Sequence, residues 1–404
     1  MTKLTKESKA LLTVSMLLTA AMATVGTFIN VFLLRATDGD VGLIIIQNMI
    51  VFTTLWLAFV GGSKILAKIS ITALLRFGLL SLAFYFAVIL LLQNHLETFL
   101  IPLAIFHGFG SGLYWFATNL LIAKVIKETE QGRYFGYQQT AGSILGVVTP
   151  AVSGFVITRF TDLTGYYILF GIALILFALA ILMTKKIPDF LLTKKIHIYD
   201  VLKLKGNRYW NAGKTFRFVI AVREAINGQI FMLFAFIIFQ NEGVIGNIVS
   251  ATALITVFSS LWFARIYKRK NQQYFYLATT FTMMLIYLLL ALFPYIPVLI
   301  AAWIVFGFIQ SWAATIIPSM IFQLASRAKG GYEQNDYLVA LEFPTTLGRI
   351  IGLTVSLLLI HFIASDMHVY RFLFVVIAFA WILEYIVIEK QVKWFRDELS
   401  VQGE

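Results

Sequence analysis

Long apolar runs recur along the chain and alternate with short polar breaks. Each run holds about twenty residues, which matches the hydrocarbon thickness of a bilayer when wound as a helix, whereas a soluble core helix is shorter and amphipathic. The pattern predicts an all-α, polytopic membrane protein with twelve transmembrane helices. The predicted spans are 10–34, 41–62, 71–93, 98–123, 135–158, 164–184, 216–240, 245–264, 274–293, 298–324, 338–363 and 369–389.

The composition supports the same class of protein. Hydrophobic residues make up 60% of the chain and charged residues only 13%, and a water-facing surface cannot be built from such a composition. Cys is absent, which excludes disulfides and thiolate metal sites. The five His are scattered without ligand spacing, so we expect neither a metal site nor a cofactor.

The net charge of +12 is distributed unevenly across the predicted membrane. All but five of the 32 Lys and Arg fall on one face, which is the bias typical of the cytoplasmic side. The exceptions are Arg35, Arg159 and Arg371 on the other face and Arg223 and Arg349 within spans. We therefore expect a protein of the cell (plasma) membrane with both termini in the cytoplasm. Anionic lipid headgroups are expected partners, and nucleic acid is not.

The longest interruption between spans divides the chain into six spans and six. This predicts an N-terminal half over 1–184, a basic cytoplasmic linker over 185–214 and a C-terminal half with a cytoplasmic tail over 215–404. In the linker, Ile196, Ile198 and Val201 stand among lysines. They predict either a short helix lying on the lipid headgroups or a solvated basic segment.

The two halves share sequence features, which predicts a duplication. Phe52–Trp56 in the second span recurs as Phe258–Trp262 in the eighth. A small and polar stripe of the fifth span also recurs in the eleventh at a constant offset, and its steps of three and four place each set on one helix face. The stripe is Gln139, Gly142, Gly146, Thr149 and Ser153, and its counterpart is Glu342, Thr345, Arg349, Gly352 and Ser356. Two pseudo-symmetric six-helix halves are the arrangement of a rocking carrier.

These features resemble the major facilitator superfamily over the whole chain. The loop after the second span, Gly61 to Ser70, keeps the basic character of that family's motif, but Ala67 stands where its acidic residue would be. The spacing of Gly142, Gly146, Pro150 and Gly154 looks like a loosened form of the Gly/Pro motif of the family's exporters. The resemblance implies alternating access with a small solute bound near mid-membrane.

Charged residues within a bilayer cost about 2.5–3.5 kcal/mol each and are usually functional. The candidates are Arg223, Glu224, Glu342 and Arg349. If the seventh and eleventh spans approach, Glu224 and Arg349 are the expected ion pair, and a carboxylate that gains and loses a proton would couple protons to transport. The alternatives are a permanent structural pair or snorkelling of Arg223 to the surface.

The surroundings of Glu342 and Glu384 are open in the sequence. Pro344 follows Glu342 closely, so Glu342 either marks the N-terminus of a helix or lies within a span that Pro344 kinks. Glu384 in the twelfth span is expected to face partner helices or the cytoplasmic edge.

A second group of polar and aromatic residues falls in spans expected to line a central cavity. It suits a small, partly apolar solute, although such side chains also form hydrogen bonds between helices. The group is Asn30, His107, Tyr114, Trp115, Gln139, Asn227, Gln310 and Trp312.

The glycines of the fifth span predict a close backbone contact between the halves. Gly142, Gly146 and Gly154 are small enough for such a contact. Pro150 would loosen this helix, as a rocking movement requires, although proline kinks also occur in static spans.

The predicted function is a secondary active transporter that uses protons, and the resemblance implies that it exports an amphipathic compound. One alternative is an importer of a sugar, organic acid or nucleoside, and another is a non-transporting membrane protein that binds a lipid or an assembly partner. No phosphate loop, zinc signature or nucleophile motif is present, so we do not expect an enzyme. The expected partners are a small solute, protons and membrane lipids, and the protein is expected to act as a monomer.

Overall fold

The computed structural model describes residues 4–65, 69–92, 95–191, 197–267, 271–328, 330–332, 334–362 and 367–401. Over these residues the chain is helical, without a strand. The helices are α1 (Lys6–Gly26), α2 (Ile29–Ala36), α3 (Val41–Ile65), α4 (Ile71–Leu92), α5 (Leu96–Val125), α6 (Glu128–Thr158), α7 (Thr164–Met183), α8 (Ile198–Leu202), α9 (Arg208–Phe239), α10 (Glu242–Ile266), α11 (Gln272–Leu292), α12 (Ile296–Arg327), α13 (Gln334–Ala340), α14 (Glu342–Phe362) and α15 (Met367–Val401).

Twelve helical segments of the described chain are long and apolar enough to cross a membrane. They coincide with the twelve predicted spans, so the prediction of an all-α polytopic protein is confirmed. The eleventh span, Asp336–Phe362, joins α13 to α14, and the twelfth, Met367–Ile386, is the first part of α15. The residues 66–68 and 268–270, which include Ala67 of the motif-like loop, lie outside the described residues.

The first predicted span is not one continuous helix. It divides into α1 and α2 at Thr27 and Phe28, where Phe28 leaves the helical region with φ −113° and ψ 3°. The Phe28 N–H donates to the carbonyl of Val25, three residues back, which tightens the end of α1. Gly26 directly precedes the break and favours it, since glycine is a poor residue for helix interiors.

The tight turn between α9 and α10 depends on the backbone of Gln240 and the side chain of Asn241. Gln240 adopts a positive φ of 50°, and the Asn241 side chain then accepts a hydrogen bond of 3.0 Å from the N–H of Val244, which caps α10. The turn before α3 is built similarly, with a positive φ at Asp38 and capping by Asp40. Short capped turns of this kind keep consecutive spans antiparallel.

The chain forms two compact units. The first contains Met1–Lys195 together with Ala235–Ala253, and the second contains Ile196–Phe234 together with Leu254–Glu404. The predicted halves, 1–184 and 215–404, have boundaries close to these. The difference is that Ala235–Ala253, the end of α9 and the start of α10, packs with the first unit.

In the first unit, polar side chains tie the ends of spans together. The Ser8 hydroxyl donates to the buried Glu130 carboxylate over 2.6 Å, which joins the start of α1 to the start of α6. Further along the same pair of helices, the Ser153 hydroxyl donates to the carbonyl of Thr24. These contacts hold α1 against α6 along much of its length.

In the second unit, the linker forms the short helix α8 and packs against α13. Ile198 and Val201 are buried, and the His197 N–H donates to the Asp336 carboxylate over 3.2 Å. The apolar side of α8 is thus covered by protein rather than by lipid headgroups or water, unlike either alternative that the sequence left open. The predicted contribution of Ile196 lies outside the described residues.

Candidate functional site

Arg223 and Glu224 are neighbours in the middle of α9 but have opposite environments. The 100° step of a helix separates their side chains. Arg223 is 7% exposed, inside the second unit, whereas Glu224 is exposed. The two residues are therefore suited to different tasks.

Arg223 belongs to a buried polar network between α9, α11 and α15. Its Nε donates to the Glu384 Oε2 over 2.7 Å, and the Tyr276 hydroxyl donates to the other oxygen of Glu384. The guanidinium also lies 3.7 Å from the ring centroid of Trp381, in the geometry of a cation–π contact. Since Glu384 is 0% exposed, this network satisfies two charges within the protein interior.

This network decides between alternatives that the sequence left open. Arg223 does not extend to the membrane surface, because the carboxylate of Glu384 neutralises it in place. Glu384, which the sequence left facing either partner helices or the cytoplasmic edge, is the acidic partner in an intramembrane ion pair. The sequence signal was available, since Glu384 stands alone in an apolar run, but nothing in it pointed to Arg223.

One turn beyond Arg223, a second polar contact joins α9 to α11. The Tyr287 hydroxyl donates to the Asn227 side-chain oxygen over 2.5 Å. Asn227 was predicted to line a cavity, and the contact gives it a role in holding helices together as well. Together with the Arg223 network, it fixes the rotation of α9.

Four further charged side chains form a cluster between α9 and α14, which we call the charge cluster: Arg217, Glu224, Glu342 and Arg349. Arg349 Nη1 donates to Glu342 Oε1 over 3.2 Å. Arg217 lies within electrostatic range of the other three members, and its Nε donates to the Thr345 hydroxyl over 3.2 Å. The cluster contains two acids and two bases, so it is neutral when every member is ionised.

Glycines bring the two helices of the charge cluster into contact. A Cβ on Gly348 would overlap the carbonyl oxygen of Phe218, and one on Gly352 would overlap the carbonyl oxygen of Val222. The backbones of α9 and α14, in the seventh and eleventh spans, therefore touch. This contact needs glycine, because any larger side chain would separate the helices.

The predicted pairing of Glu224 with Arg349 stays a prediction. The ion pair that the structure shows for Arg349 is with Glu342, seven positions away on the same helix. Glu224 has Arg217 and Arg223 as its electrostatic neighbours.

The start of α14 combines both interpretations of Glu342. Glu342 is the first residue of α14 and Pro344 lies in its first turn, yet α13 precedes it and belongs to the same span. The span is thus interrupted at Leu341, just ahead of the proline. Glu342 lies inside a span and also at a helix N-terminus, where a carboxylate is favoured.

In the first unit, the facing ends of α6 and α10 make a second close contact, which we call the outer contact. A Cβ on Gly154 would overlap the carbonyl oxygen of Glu242, and one on Gly246 would overlap that of Pro150. The Ser250 hydroxyl accepts a 3.0 Å hydrogen bond from the N–H of Ala151, just after the proline.

Two of the predicted packing glycines do not take part in the outer contact. A Cβ on Gly142 or Gly146 would meet no atom of the described residues within 4 Å. These two positions therefore lack the close backbone contact that was predicted for them, whereas Gly154 makes one. The contact is thus confined to one end of α6.

An ion pair between an exposed base and a buried acid adjoins the outer contact. Arg35 Nη2 lies 2.6 Å from Glu242 Oε1, and the Tyr166 hydroxyl donates to the same oxygen over 2.7 Å. The Arg35 guanidinium also lies 5.1 Å from the ring centroid of Phe236. Glu242 is 2% exposed and the Arg35 side chain is 33% exposed, so this pair links α2, α7 and α10 at the edge of the protein interior. Sequence reasoning missed it because both charges fall in predicted loops.

The predicted cavity residues are distributed over both units. In the first unit, Trp115 and Gln139 are exposed and Asn30 is half-buried. Tyr114 is buried, and His107 stacks on Tyr85 with ring centroids 4.6 Å apart. The structure therefore gives His107 and Tyr114 packing surroundings.

In the second unit, Gln310 is exposed and Trp312 is buried in an aromatic cluster. The Trp312 ring stacks on Phe263 at a centroid distance of 5.3 Å and lies 5.8 Å from Trp262. Of the predicted residues of this unit, Gln310 has the accessibility that binding a solute requires. Across the described part of the chain, no three His, Asp or Glu side chains lie together as a metal site would need.

Comparison with known proteins identifies relatives over most of the chain. The sequence profile of the Major Facilitator Superfamily matches residues 11–332. A Bacillus subtilis (strain 168) relative, "Uncharacterized protein YqgE", is 26% identical over 367 residues, which cover 88% of this chain and 83% of the relative.

Solved structures share the fold at low sequence identity. A bacterial homologue of the iron transporter ferroportin, in an inward-facing state, has a TM-score of 0.71 at 12% identity, covering 96% of this chain and 99% of its own. A point mutant of the nucleoside transporter NupG has a TM-score of 0.71 at 13% identity, covering 95% of this chain and 99% of its own. Identities this low establish a common fold alone.

Proposed function

The chain belongs to the major facilitator superfamily, and we propose that it is a proton-driven secondary transporter that works by alternating access. The family makes it a multi-pass membrane transporter for a small solute. The proposal concerns three further properties, which are the coupling ion, the class of solute and the direction of transport.

The charge cluster carries the proposal of proton coupling. Glu224 is the exposed acid of the cluster and lies within range of Arg217. When a proton from water neutralises Glu224, the charge cluster gains one net positive charge, and Arg217 loses one of its two acidic neighbours. We propose that this imbalance changes which side of the membrane the site faces, and that the proton leaves Glu224 on the other side.

The outer contact supports the alternating movement. Gly154 and Gly246 let α6 and α10 touch at one end, while the space beside Gly142 and Gly146 is open. A site open at one end of α6 and closed at the other is what alternating access requires. We propose that the Arg35–Glu242 pair locks the closed end and that Pro150 allows α6 to bend when it opens.

The exposed aromatic and amide side chains support an amphipathic solute. In the first unit, exposed Trp115 and Gln139 combine apolar surface with hydrogen-bonding groups, and in the second unit exposed Gln310 offers an amide. We propose that such a compound is exported across the cell membrane by a monomer with both termini in the cytoplasm.

Reconstituted vesicles test the coupling. Purified protein is placed in vesicles containing a trapped pH-sensitive dye, and proton movement is recorded while a panel of amphipathic compounds, sugars, organic acids and nucleosides is added on each side. We expect amphipathic compounds to drive proton movement. Glu224→Gln is expected to reduce it by about tenfold or more, because the carboxylate can no longer exchange a proton.

The matched control is Glu97→Gln, at an exposed acid in the first turn of α5. It should retain the wild-type rate at equal protein abundance. Full substrate-driven proton movement in Glu224→Gln would refute coupling at this residue, and the absence of movement with every compound would refute proton-driven transport.

A further inference from the structure

We propose that Thr345 is a positioning residue of the charge cluster, whose hydroxyl holds the Arg217 guanidinium beside Glu224. The inference rests on the proton coupling proposed above, and it adds the residue that keeps the base in place. Arg217 and Glu224 belong to α9 and Thr345 to the first turn of α14. All three lie in the second unit.

Arg217 needs a fixed orientation because two acids lie within its range. Glu224 and Glu342 both act on its charge, and Glu342 already accepts the hydrogen bond of Arg349 over 3.2 Å. The other base near Glu224 is Arg223, which is held in the buried network described above. Arg217 is therefore the base whose position decides how strongly the charge cluster responds to a proton on Glu224.

One hydrogen bond sets the orientation of Arg217. Its Nε donates to the Thr345 hydroxyl oxygen over 3.2 Å. A bond at Nε fixes the plane of the guanidinium, because that group is rigid and planar. It does not use the two terminal nitrogens, which can still face carboxylates. Since threonine carries no charge, the contact orients Arg217 without neutralising it.

The Thr345 hydroxyl is itself held in one orientation. Its hydrogen is donated to the carbonyl of Leu341 over 2.7 Å, so its oxygen is left to accept from Arg217. Thr345 is 0% exposed, which shields the hydroxyl from water and from a solute. Because Leu341 marks the interruption between α13 and α14, the hydroxyl also joins the charge cluster to that interruption.

The close contact of α9 and α14 lies beside this hydrogen bond. Phe218 follows Arg217, and its carbonyl oxygen would overlap a Cβ on Gly348. Gly348 stands three positions after Thr345, on the same side of α14. Since the backbones touch here, the distance between the two helices does not depend on the hydroxyl. A substitution that removes the hydroxyl alone therefore isolates the hydrogen bond.

The proton-movement measurement in reconstituted vesicles tests the hydroxyl. Thr345→Val removes it and keeps the shape of the side chain. We expect the maximal rate of substrate-driven proton movement to fall by about fivefold or more, because Arg217 loses a charge-assisted hydrogen bond. The half-saturating solute concentration should not change, since Thr345 is 0% exposed and does not contact the solute. Thr345→Ser, which keeps the hydroxyl, should stay within about twofold of the wild-type rate.

A double replacement separates positioning from packing. Arg217→Lys keeps the positive charge but places a methylene group where Nε stands, so the hydrogen bond to Thr345 is already absent. In that background, Thr345→Val should lower the rate by less than about twofold. An equal loss in both backgrounds would overturn the proposal, because the effect would then come from packing.

The matched control is Thr346→Val, at the neighbouring position of α14. Thr346 is 4% exposed, and its hydroxyl has no hydrogen-bond partner among the described residues. This variant should retain the wild-type rate at equal protein abundance, and a loss as large as that of Thr345→Val would overturn the proposal. If Thr345→Val does not fold, Thr345→Ala removes the hydroxyl without adding bulk and gives the same test.

Two outcomes distinguish this inference from the proposal on which it rests. A wild-type rate in Thr345→Val, with Glu224→Gln inactive, would refute the positioning role and leave proton coupling at Glu224 intact. Full proton movement in Glu224→Gln would refute coupling at Glu224, and the positioning role with it.

Discussion

At the scale of single residues, the central region of α9 separates two kinds of charge. Arg223 is held by Glu384 and Tyr276 with every charge neutralised inside the protein. Glu224, one position on, is exposed. A buried and fully hydrogen-bonded pair is costly to break, whereas an exposed acid can change protonation at little structural cost. The buried pair therefore orients the helix, and the exposed acid remains available for chemistry.

The first prediction at this scale concerns the buried pair. Glu384→Gln should destabilise the protein by about 3–5 kcal/mol, because it leaves the Arg223 guanidinium buried without a counter-charge. Denaturant unfolding in micelles measures the loss. A double replacement, Arg223→Leu with Glu384→Leu, should recover part of the stability, since it removes both charges at once.

The exposed acid provides the comparison. Glu224→Gln should leave the free energy of unfolding within about 0.5 kcal/mol of the wild-type value, as surface substitutions do. A Glu384→Gln protein as stable as Glu224→Gln would contradict the structural role of the pair.

The sequence identified charged residues within spans but not their partners. Arg223 and Glu384 lie 161 positions apart, and the rotation of each helix decides which charges meet. That rotation follows from contacts such as Gly348 against Phe218, which depend on tertiary packing. A glycine in a span suggests a close contact between helices, but the sequence does not show which helix lies opposite.

At the scale of elements, the outer contact and the open face of α6 lie on one helix. Gly154 touches the Glu242 backbone, while Gly146, two turns earlier, has open space around it. Pro150 lies between them, where it removes one helical hydrogen bond and weakens the helix. The two ends of α6 can therefore respond differently to the same movement.

This asymmetry predicts opposite outcomes for two matched substitutions. Gly154→Ala should prevent closure, because its Cβ would overlap the Glu242 carbonyl, and Gly146→Ala should have no effect, because its Cβ would meet no described atom within 4 Å. Since the chain contains no Cys, Ser250→Cys supplies a single thiol at the contact for maleimide labelling. In that background, Gly154→Ala should raise the labelling rate by about fivefold.

Equal labelling rates in the two alanine variants would contradict this account of the contact. Slower labelling in Gly154→Ala would contradict it as well, because a steric obstacle can only expose the thiol.

Most elements were predictable, and the exceptions share a physical cause. Spans follow from long apolar runs, which need no knowledge of neighbours. The break at Phe28 depends on the backbone angles of one residue, and the interruption at Leu341 divides one apolar run into two helices. The docking of α8 depends on Asp336, far away in the chain. A hydropathy pattern does not predict local breaks in a helix or contacts between distant parts of the chain.

At the scale of the whole molecule, topology connects charge with function. An even number of spans places both ends of the chain on one side, and the basic bias predicts that this side is the cytoplasm. The direction of the proposed export depends on that orientation. The absence of native thiols allows each segment to be tested separately.

The last prediction concerns the orientation of the chain and uses three single-cysteine variants. They are Lys6→Cys near the N-terminus, Thr161→Cys between α6 and α7, and Ser400→Cys near the end of α15. A membrane-impermeant maleimide should label Thr161→Cys in intact cells, because that turn is exposed and lies at the non-cytoplasmic ends of two spans in the predicted topology. The two terminal cysteines should react only after the cells are permeabilised, which also serves as the control for their reactivity. Labelling of either terminal cysteine in intact cells would reverse the assigned orientation, and with it the direction of the proposed export.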